Sequence, residues 1–105
     1  MDLNYLSSDL YHRIQKASQV LKEVPFSYFQ EGILYEGYID LMFEEQDGFV
    51  IVDLKTDQIS STQLEERSKL YTKQLNIYET AMKQLNMKVK DKVLYFVRLD
   101  RIVIQ

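Results

Sequence analysis

Apolar positions change period along this chain, and each change marks an element. Leu10, Ile14, Ala17 and Leu21 recur at helical spacing behind Ser7-Ser8-Asp9, which predicts a capped helix running to about Lys22. The only proline, Pro25, ends it and opens a short extended segment from Phe26 to Phe29. From Ile33 to Phe43 the period falls to two. Ile33, Tyr35, Gly37, Ile39, Leu41 and Phe43 take one face of a long strand, and Leu34, Glu36, Tyr38, Asp40 and Met42 the other. Asp47-Gly48 is a hairpin signal, and a continuous apolar strand, Phe49–Lys55, follows. Ser60-Ser61-Thr62 opens a long helix to about Leu85, with a stripe of Leu64, Ser68, Tyr71, Leu75, Tyr78, Met82 and Leu85 widened by Leu70, Ile77 and Ala81. Asn86 is a stop signal. Val89 to Val97 reads as a last core strand, and Arg101 to Gln105 as an edge strand.

Two charges interrupt the most apolar of these strands. Asp53 and Lys55 close the run Phe49-Val50-Ile51-Val52-Asp53-Leu54-Lys55, and alternation points them to the same face. Burying either alone costs several kcal/mol unless it is paired or bound to a metal. If Asp47-Gly48 is a two-residue loop, paired residues sum to 95, so Asp40 stands opposite Lys55 and diagonal to Asp53. A cross-strand ion pair would explain Asp40 and Lys55. The second acid leaves an excess of negative charge that a cation would relieve. Gln74 lies inside the apolar arc of the long helix and needs hydrogen-bond partners, in the core or in a polar cleft.

Composition narrows the classes. With 105 residues and 46% hydrophobic content, this is one domain with one core. Eight Tyr, five Phe and no Trp suit a half-wet surface or a polar-lined cleft. Zero cysteines exclude disulfides, Cys-based zinc and iron–sulfur clusters. Nothing approaches a membrane span and Met1-Asp2-Leu3-Asn4 is unlike a signal peptide, which points to a cytoplasmic protein. The net charge of −3 divides unevenly. Residues 1–53 hold 10 acids and 3 bases, residues 54–105 hold 6 acids and 10 bases. An acidic half able to carry metal ligands beside a basic half facing phosphate is one reading; solvated turn and edge acids at Glu31, Glu44, Glu45 and Asp47 is the plainer one.

Asp on the second strand and Asp-x-Lys on the third, in the order helix, three strands, long helix, strand, resembles the PD-(D/E)XK nuclease superfamily. The pieces Glu23-Val24-Pro25-Phe26, Gly37-Tyr38-Ile39-Asp40-Leu41, Asp47-Gly48, Ile51–Asp57 and Tyr71-x-x-Gln74-Leu75-x-x-Tyr78 occur in sequence and cover about residues 9–97. Together they resemble the C-terminal nuclease domain of bacterial ATP-dependent helicase–nucleases of the AddA and RecB kind. The resemblance implies an α/β fold with a restriction-endonuclease-like core, a mixed central sheet flanked by helices in the order α-β-β-β-α-β. It implies Mg²⁺-dependent cleavage of DNA, exonucleolytic and in repair or recombination, with Mn²⁺ able to substitute.

Under that resemblance Asp40 and Asp53 are the acidic metal ligands and the Leu54 backbone carbonyl the third. A hard cation suits such oxygens, activating water and neutralising charge on the phosphoryl group. Lys55 would orient the attacking water and counter developing charge, a role in which an ammonium favours positioning over proton abstraction. Glu23 resembles the family's acid before Pro-Phe, serving a second ion or a bound water, with a helix end in water as its plain alternative. Gln74 and Tyr78 would contact the scissile strand or hold the lysine, Tyr71 reads as core with a wet hydroxyl, and Glu36 as a solvated strand end. The family's ligand histidine lies far upstream of Glu-x-Pro-Phe, so His12, eleven residues before Glu23, is not its counterpart and is expected on the exposed side of its helix. Residues 1–105 are therefore expected to be a single nuclease domain, a C-terminal piece of a larger helicase–nuclease whose motor lies elsewhere, since no Gly-x-x-x-x-Gly-Lys-Ser/Thr occurs here. The expected partners are DNA, a second helicase–nuclease chain and the helicase portion of the same polypeptide. A non-catalytic DNA-binding or assembly module, and a stand-alone or phage-type nuclease, are the alternatives.

Overall fold

In a computed structural model, which describes residues 8–105, the chain runs through α1 (Ser8–Lys16), β1 (Gln19–Gln30), β2 (Ile33–Glu45), β3 (Gly48–Lys55), α2 (Leu64–Leu70), α3 (Thr72–Gln84), β4 (Val89–Phe96) and β5 (Arg101–Ile104). The strands form one sheet in the order β1-β2-β3-β4-β5; β3 and β4 are parallel and every other neighbouring pair antiparallel. The parallel step needs a crossover, and α2 with α3 supplies it. This is the mixed α/β sheet flanked by helices that the sequence predicts. The capping role of Ser7 and the Met1–Asn4 run lie outside the described residues.

β3 reads as a continuous apolar run because both its faces are covered. Val50 and Val52 pack with Leu10 and Ile14 of α1, while Phe49 and Ile51 pack with Leu75, Tyr78, Ala81 and Met82 of α3. α1 stops at Lys16, six residues short of the predicted end. Ser18 N–H donates to the Glu44 carbonyl at 3.1 Å, and from Gln19 the chain is a strand. Val20 and Leu21 keep an apolar period, but they face Phe43 and Met42 across the sheet. The predicted segment Phe26–Phe29 is thus the second half of a twelve-residue edge strand, and Pro25 sits exposed within it, where a missing N–H is tolerated.

The β2–β3 turn lies one residue before the expected one, which shifts the pairing register by two. The loop is Gln46-Asp47, and Glu45 pairs with Gly48, so paired residues sum to 93 instead of 95. Gly48 opens β3 at φ +145°, and a Cβ there would meet the Lys88 carbonyl at 3.0 Å, which explains why glycine belongs to the strand and not to the loop. Glu45 is not simply solvated. It takes Arg13 Nε at 3.0 Å and Nη2 at 2.7 Å and Lys90 Nζ at 2.9 Å, tying α1 to the sheet, and Arg13 holds its carboxyl down at about 2.

A second departure lies in the long β1–β2 hairpin. Strict alternation fails at one place on both strands. Leu21 and Met42, and three residues along Val24 and Ile39, all pack on the α3 side. Residues three apart on a strand normally face opposite ways. The break falls at Glu23 and Asp40, where the pairing passes from Lys22 with Leu41 to Val24 with Ile39 and Glu23 has φ +51°. A left-handed non-glycine residue costs about 1–2 kcal/mol. The outer hairpin offsets it by turning Phe26, Tyr28 and Tyr35 onto α3, with Tyr28 OH donating to the Ile77 carbonyl at 3.3 Å.

The predicted single helix from Ser60 to Leu85 opens as expected, on a 3₁₀ turn where Ser60 N–H donates to Gln63 Oε1 at 2.9 Å. It then breaks at Tyr71. Ser68 is buried and its Oγ donates back to the Leu64 carbonyl at 2.7 Å, a bond that bends helices. The Ser68 carbonyl is shared by Tyr71 N–H at 3.1 Å and Gln105 Nε2 at 3.0 Å. Leu70 and Leu85 leave the predicted stripe and are exposed. Asn86 stops α3 as expected, left-handed at φ +58°, with Met87 N–H on the Met82 carbonyl and Asn86 N–H on that of Lys83. Gly48→Ala is expected to destabilise the fold by about 1–3 kcal/mol, through the unfavourable φ and the crowded Lys88 carbonyl. Urea denaturation checks this, and an unchanged midpoint would contradict the close approach.

Candidate active site

The register decides which charges meet. Extending the β2–β3 pairing by one residue sets Asp40 across from Asp53, with Lys55 diagonal, the reverse of the predicted neighbours. A shift of two keeps parity, so all three still converge. The β2–β3 ladder ends at Leu41 with Val52 because β2 turns away at Asp40. Leu54 N–H would be left without a partner there. Asp40 Oδ2 accepts it at 2.8 Å, so the carboxylate stands in for the missing strand.

Asp53 is 3% exposed. Lys55 Nζ lies 2.8 Å from its Oδ2, yet off the direction of a hydrogen bond, so that buried oxygen has an attracting charge and no aligned donor. Burial, then the adjacent Asp40 carboxylate, push Asp53 up to about 6 despite the pull of Lys55. Lys55 is held from three sides. Besides Asp53, its ammonium donates to Gln74 Oε1 at 2.8 Å and sits 3.8 Å above the centre of the Tyr71 ring. Gln74 turns its Nε2 to Tyr78 OH at 2.8 Å. Both ends of the amide are therefore used within the protein, and the need for partners inside an apolar arc is met by the lysine and the tyrosine. Burial, with the charges of Asp53 and Asp40 added, raises the Tyr78 hydroxyl to about 12, so it stays neutral while accepting from Gln74.

Tyr71 does more than a core ring with a wet hydroxyl would. Its hydroxyl donates to Asp57 Oδ2 at 2.7 Å, and Arg67 Nη1 reaches the same oxygen at 2.6 Å. Against the desolvation that pushes it up, these two bonds hold the Asp57 carboxyl below its usual range. The bond to Asp57, helped by burial, raises the Tyr71 hydroxyl. Sequence pattern assigns no role to Asp57 or Arg67. The only signal is Asp57 two residues beyond Lys55 and Tyr71 one helical turn before Gln74.

The remaining predicted residues stand apart. Glu23 is exposed across the hairpin from Asp40, and among the described residues no third Asp, Glu, His or Cys joins a metal-binding cluster. Glu36 is exposed on the hairpin and His12 is exposed on α1, both as expected. An open groove of about 690 Å³ runs between the outer hairpin and α2–α3. Phe26, Leu34, Tyr35 and Tyr38 form one wall, and Leu70, Tyr71, Lys73, Gln74 and Tyr78 the other, so the groove ends on the residues that hold Lys55.

The model of the PD-(D/E)XK nuclease superfamily matches residues 4–103, the span that holds these two acids, the lysine and the helix carrying Gln74 and Tyr78. The chain belongs to that superfamily. It is 40% identical to an ATP-dependent helicase/nuclease subunit of Carboxydothermus hydrogenoformans over 109 aligned positions, covering 90% of this chain and 9% of that protein. The same helicase/nuclease subunit of Heliobacterium modesticaldum is 33% identical over 94% of the chain and 8% of its own length, and that of Clostridium acetobutylicum 35% identical over 89% and 9%. The chain thus spans less than a tenth of the length of these relatives. No helix among the described residues is long and apolar enough to cross a membrane.

The raised carboxyl of Asp53 makes stability depend on pH. The folded state keeps its proton up to about pH 6, whereas the unfolded chain releases it near the ordinary value of 3.8, so the folded state binds more protons between them. Stability should fall as pH rises through that window, by up to about 3 kcal/mol. Asp53→Asn removes the effect and leaves Lys55 its bond to Gln74 and its place over Tyr71. In EDTA its denaturation midpoint should exceed that of the wild type at pH 7, with the gap closing toward pH 4. A variant less stable than wild type at pH 7 would contradict the assignment.

Proposed function

We propose that this chain hydrolyses DNA phosphodiesters with a divalent cation, Mg²⁺ or Mn²⁺ in its place, as the nuclease domain of a repair and recombination helicase–exonuclease. The single observation that carries this reading is the buried Asp53 Oδ2, without an aligned donor and pressed against a second carboxylate. A cation would relieve both conditions, and two carboxylates with the Leu54 backbone carbonyl make a hard oxygen set of the kind Mg²⁺ takes while keeping waters. The residues fit the ion. When bound, it would polarise a phosphoryl oxygen and supply an activated water.

This chain's own residues then divide the remaining work. Asp40 keeps its second role, capping Leu54 N–H, which fixes the backbone beside Asp53. Lys55 is held by Gln74, so its ammonium can meet the negative charge that builds on the phosphoryl oxygens. Gln74 acts chiefly by holding the lysine, and Tyr78 by holding Gln74 and lining the groove through which a strand would approach. Glu23, on the rim across from Asp40, suits contact through water or a second cation better than direct ligation. A helicase portion and a second helicase–nuclease chain are proposed partners, on the strength of relatives named as helicase/nuclease subunits.

Asp53→Ala and Lys55→Ala, made in the protein as its gene encodes it, should each lower DNA cleavage by about 10²-fold or more while DNA binding is kept. EDTA should abolish wild-type cleavage and Mg²⁺ restore it. Wild-type protein that binds DNA and shows no metal-dependent cleavage would instead mark a non-catalytic module.

A further inference from the structure

We infer that Tyr71 is a positioning residue for Lys55, with Asp57 and Arg67 serving to hold its ring in place. This rests on the nuclease reading above, and it concerns a part of the site for which that reading has no use. An ammonium on a four-carbon stem has many rotamers and attracts any nearby carboxylate. At the end of β3, Lys55 touches Asp53 Oδ2 at 2.8 Å without an aligned hydrogen bond, so that contact leaves the direction of its ammonium open. Gln74 limits this from one direction, through one hydrogen bond at 2.8 Å. The Tyr71 ring face limits it from another, with Nζ 3.8 Å from the ring centre, and the half-buried setting makes that attraction stronger than in water.

A ring can aim a cation only if the ring itself cannot turn. Tyr71 is fixed at both ends. Its backbone sits at the break between α2 and α3, where the Ser68 carbonyl accepts its N–H at 3.1 Å. Its hydroxyl is pinned to Asp57 Oδ2 at 2.7 Å, and Arg67, one turn earlier on α2, reaches that same oxygen at 2.6 Å. Asp57 also lies two residues past Lys55 on the same segment. The strand end that carries the lysine is thereby tied to the helix break that carries its platform. An uninterrupted helix would carry position 71 differently, so the break at Tyr71 and the aim of Lys55 belong to one device.

The test compares Tyr71→Leu and Tyr71→Phe in the protein as its gene encodes it, in saturating Mg²⁺ with a labelled DNA substrate. Tyr71→Leu keeps apolar volume and removes the ring; it should lower kcat about tenfold, which is ~1.4 kcal/mol of barrier, and leave KM within about twofold. Tyr71→Phe keeps the ring face but frees it from Asp57, so it should recover only part of that loss and stay about threefold below wild type, with Asp57→Ala resembling it. An NMR reading is independent of activity. The Lys55 side-chain methylene protons nearest the ammonium should be shifted upfield by the ring in wild type and Tyr71→Phe, and not in Tyr71→Leu. Unchanged kcat in Tyr71→Leu, an equal loss in Tyr71→Phe, or an absent ring shift in wild type would overturn the inference. Lys55→Ala separates the two levels: if it cleaves normally, the nuclease role of Lys55 falls and this inference with it, whereas its loss beside an active Tyr71→Leu sinks this inference alone.

Discussion

The site depends on one hydrogen bond between a side chain and the backbone, from Leu54 N–H to Asp40 Oδ2. β2 stops pairing with β3 past Leu41, and its departure leaves a backbone donor beside the core. An aspartate at the point of departure satisfies that donor and brings its own charge beside Asp53 in the same act. The outward turn of β2, the loss of ladder pairing and the meeting of two acids are thus one event. Glu23, left-handed across the hairpin, marks where β1 makes the same turn.

Around this point the fold gives up stability to keep charge in place. A buried Asp53 with a raised carboxyl is a poor choice for a structural core, where Asn or Leu would fit with less strain. The arrangement suits the cation and phosphate site proposed above. The structure then limits the consequences by fixing the lysine between an amide and an aromatic face, and by fixing each of those in turn through Tyr78 and through Asp57 with Arg67. The opposite end of the sheet shows the contrast. Arg13, Glu45 and Lys90 pair fully and leave no charge in search of a partner.

Much of this is legible in the residues. The apolar period of β3, the Asn86 stop, the edge strand at the end and the convergence of Asp40, Asp53 and Lys55 follow from local pattern. Gln74 is marked by its polarity inside an apolar arc, and its partners are the lysine and tyrosine of the site. The misplaced elements share a cause. Residues 17–22 carry helical spacing, but β2 presents an unpaired edge, and ladder pairing overrides the period. Asp47-Gly48 is a good turn dipeptide, yet close approach to Lys88 draws Gly48 into the strand and moves the loop back by one residue. Tyr71 reads as core from sequence because ring packing and cation binding leave the same mark on a helical stripe.

Local chemistry therefore determined what the chain contains: a buried strand ending in Asp-x-Lys, an acid on its hairpin partner and a helix presenting Gln74 and Tyr78. Periodicity alone carries that information, since burial of one face is a short-range demand. Only the tertiary structure decided which of these groups touch. Parity survives a two-residue slip in register, but neighbours do not, and the pairing of Asp40 with Asp53 instead of Lys55 was set by where β2 leaves the sheet. The place of Tyr71 beneath the lysine was set in the same way, at a helix break where Gln105 reaches the Ser68 carbonyl from 37 residues away.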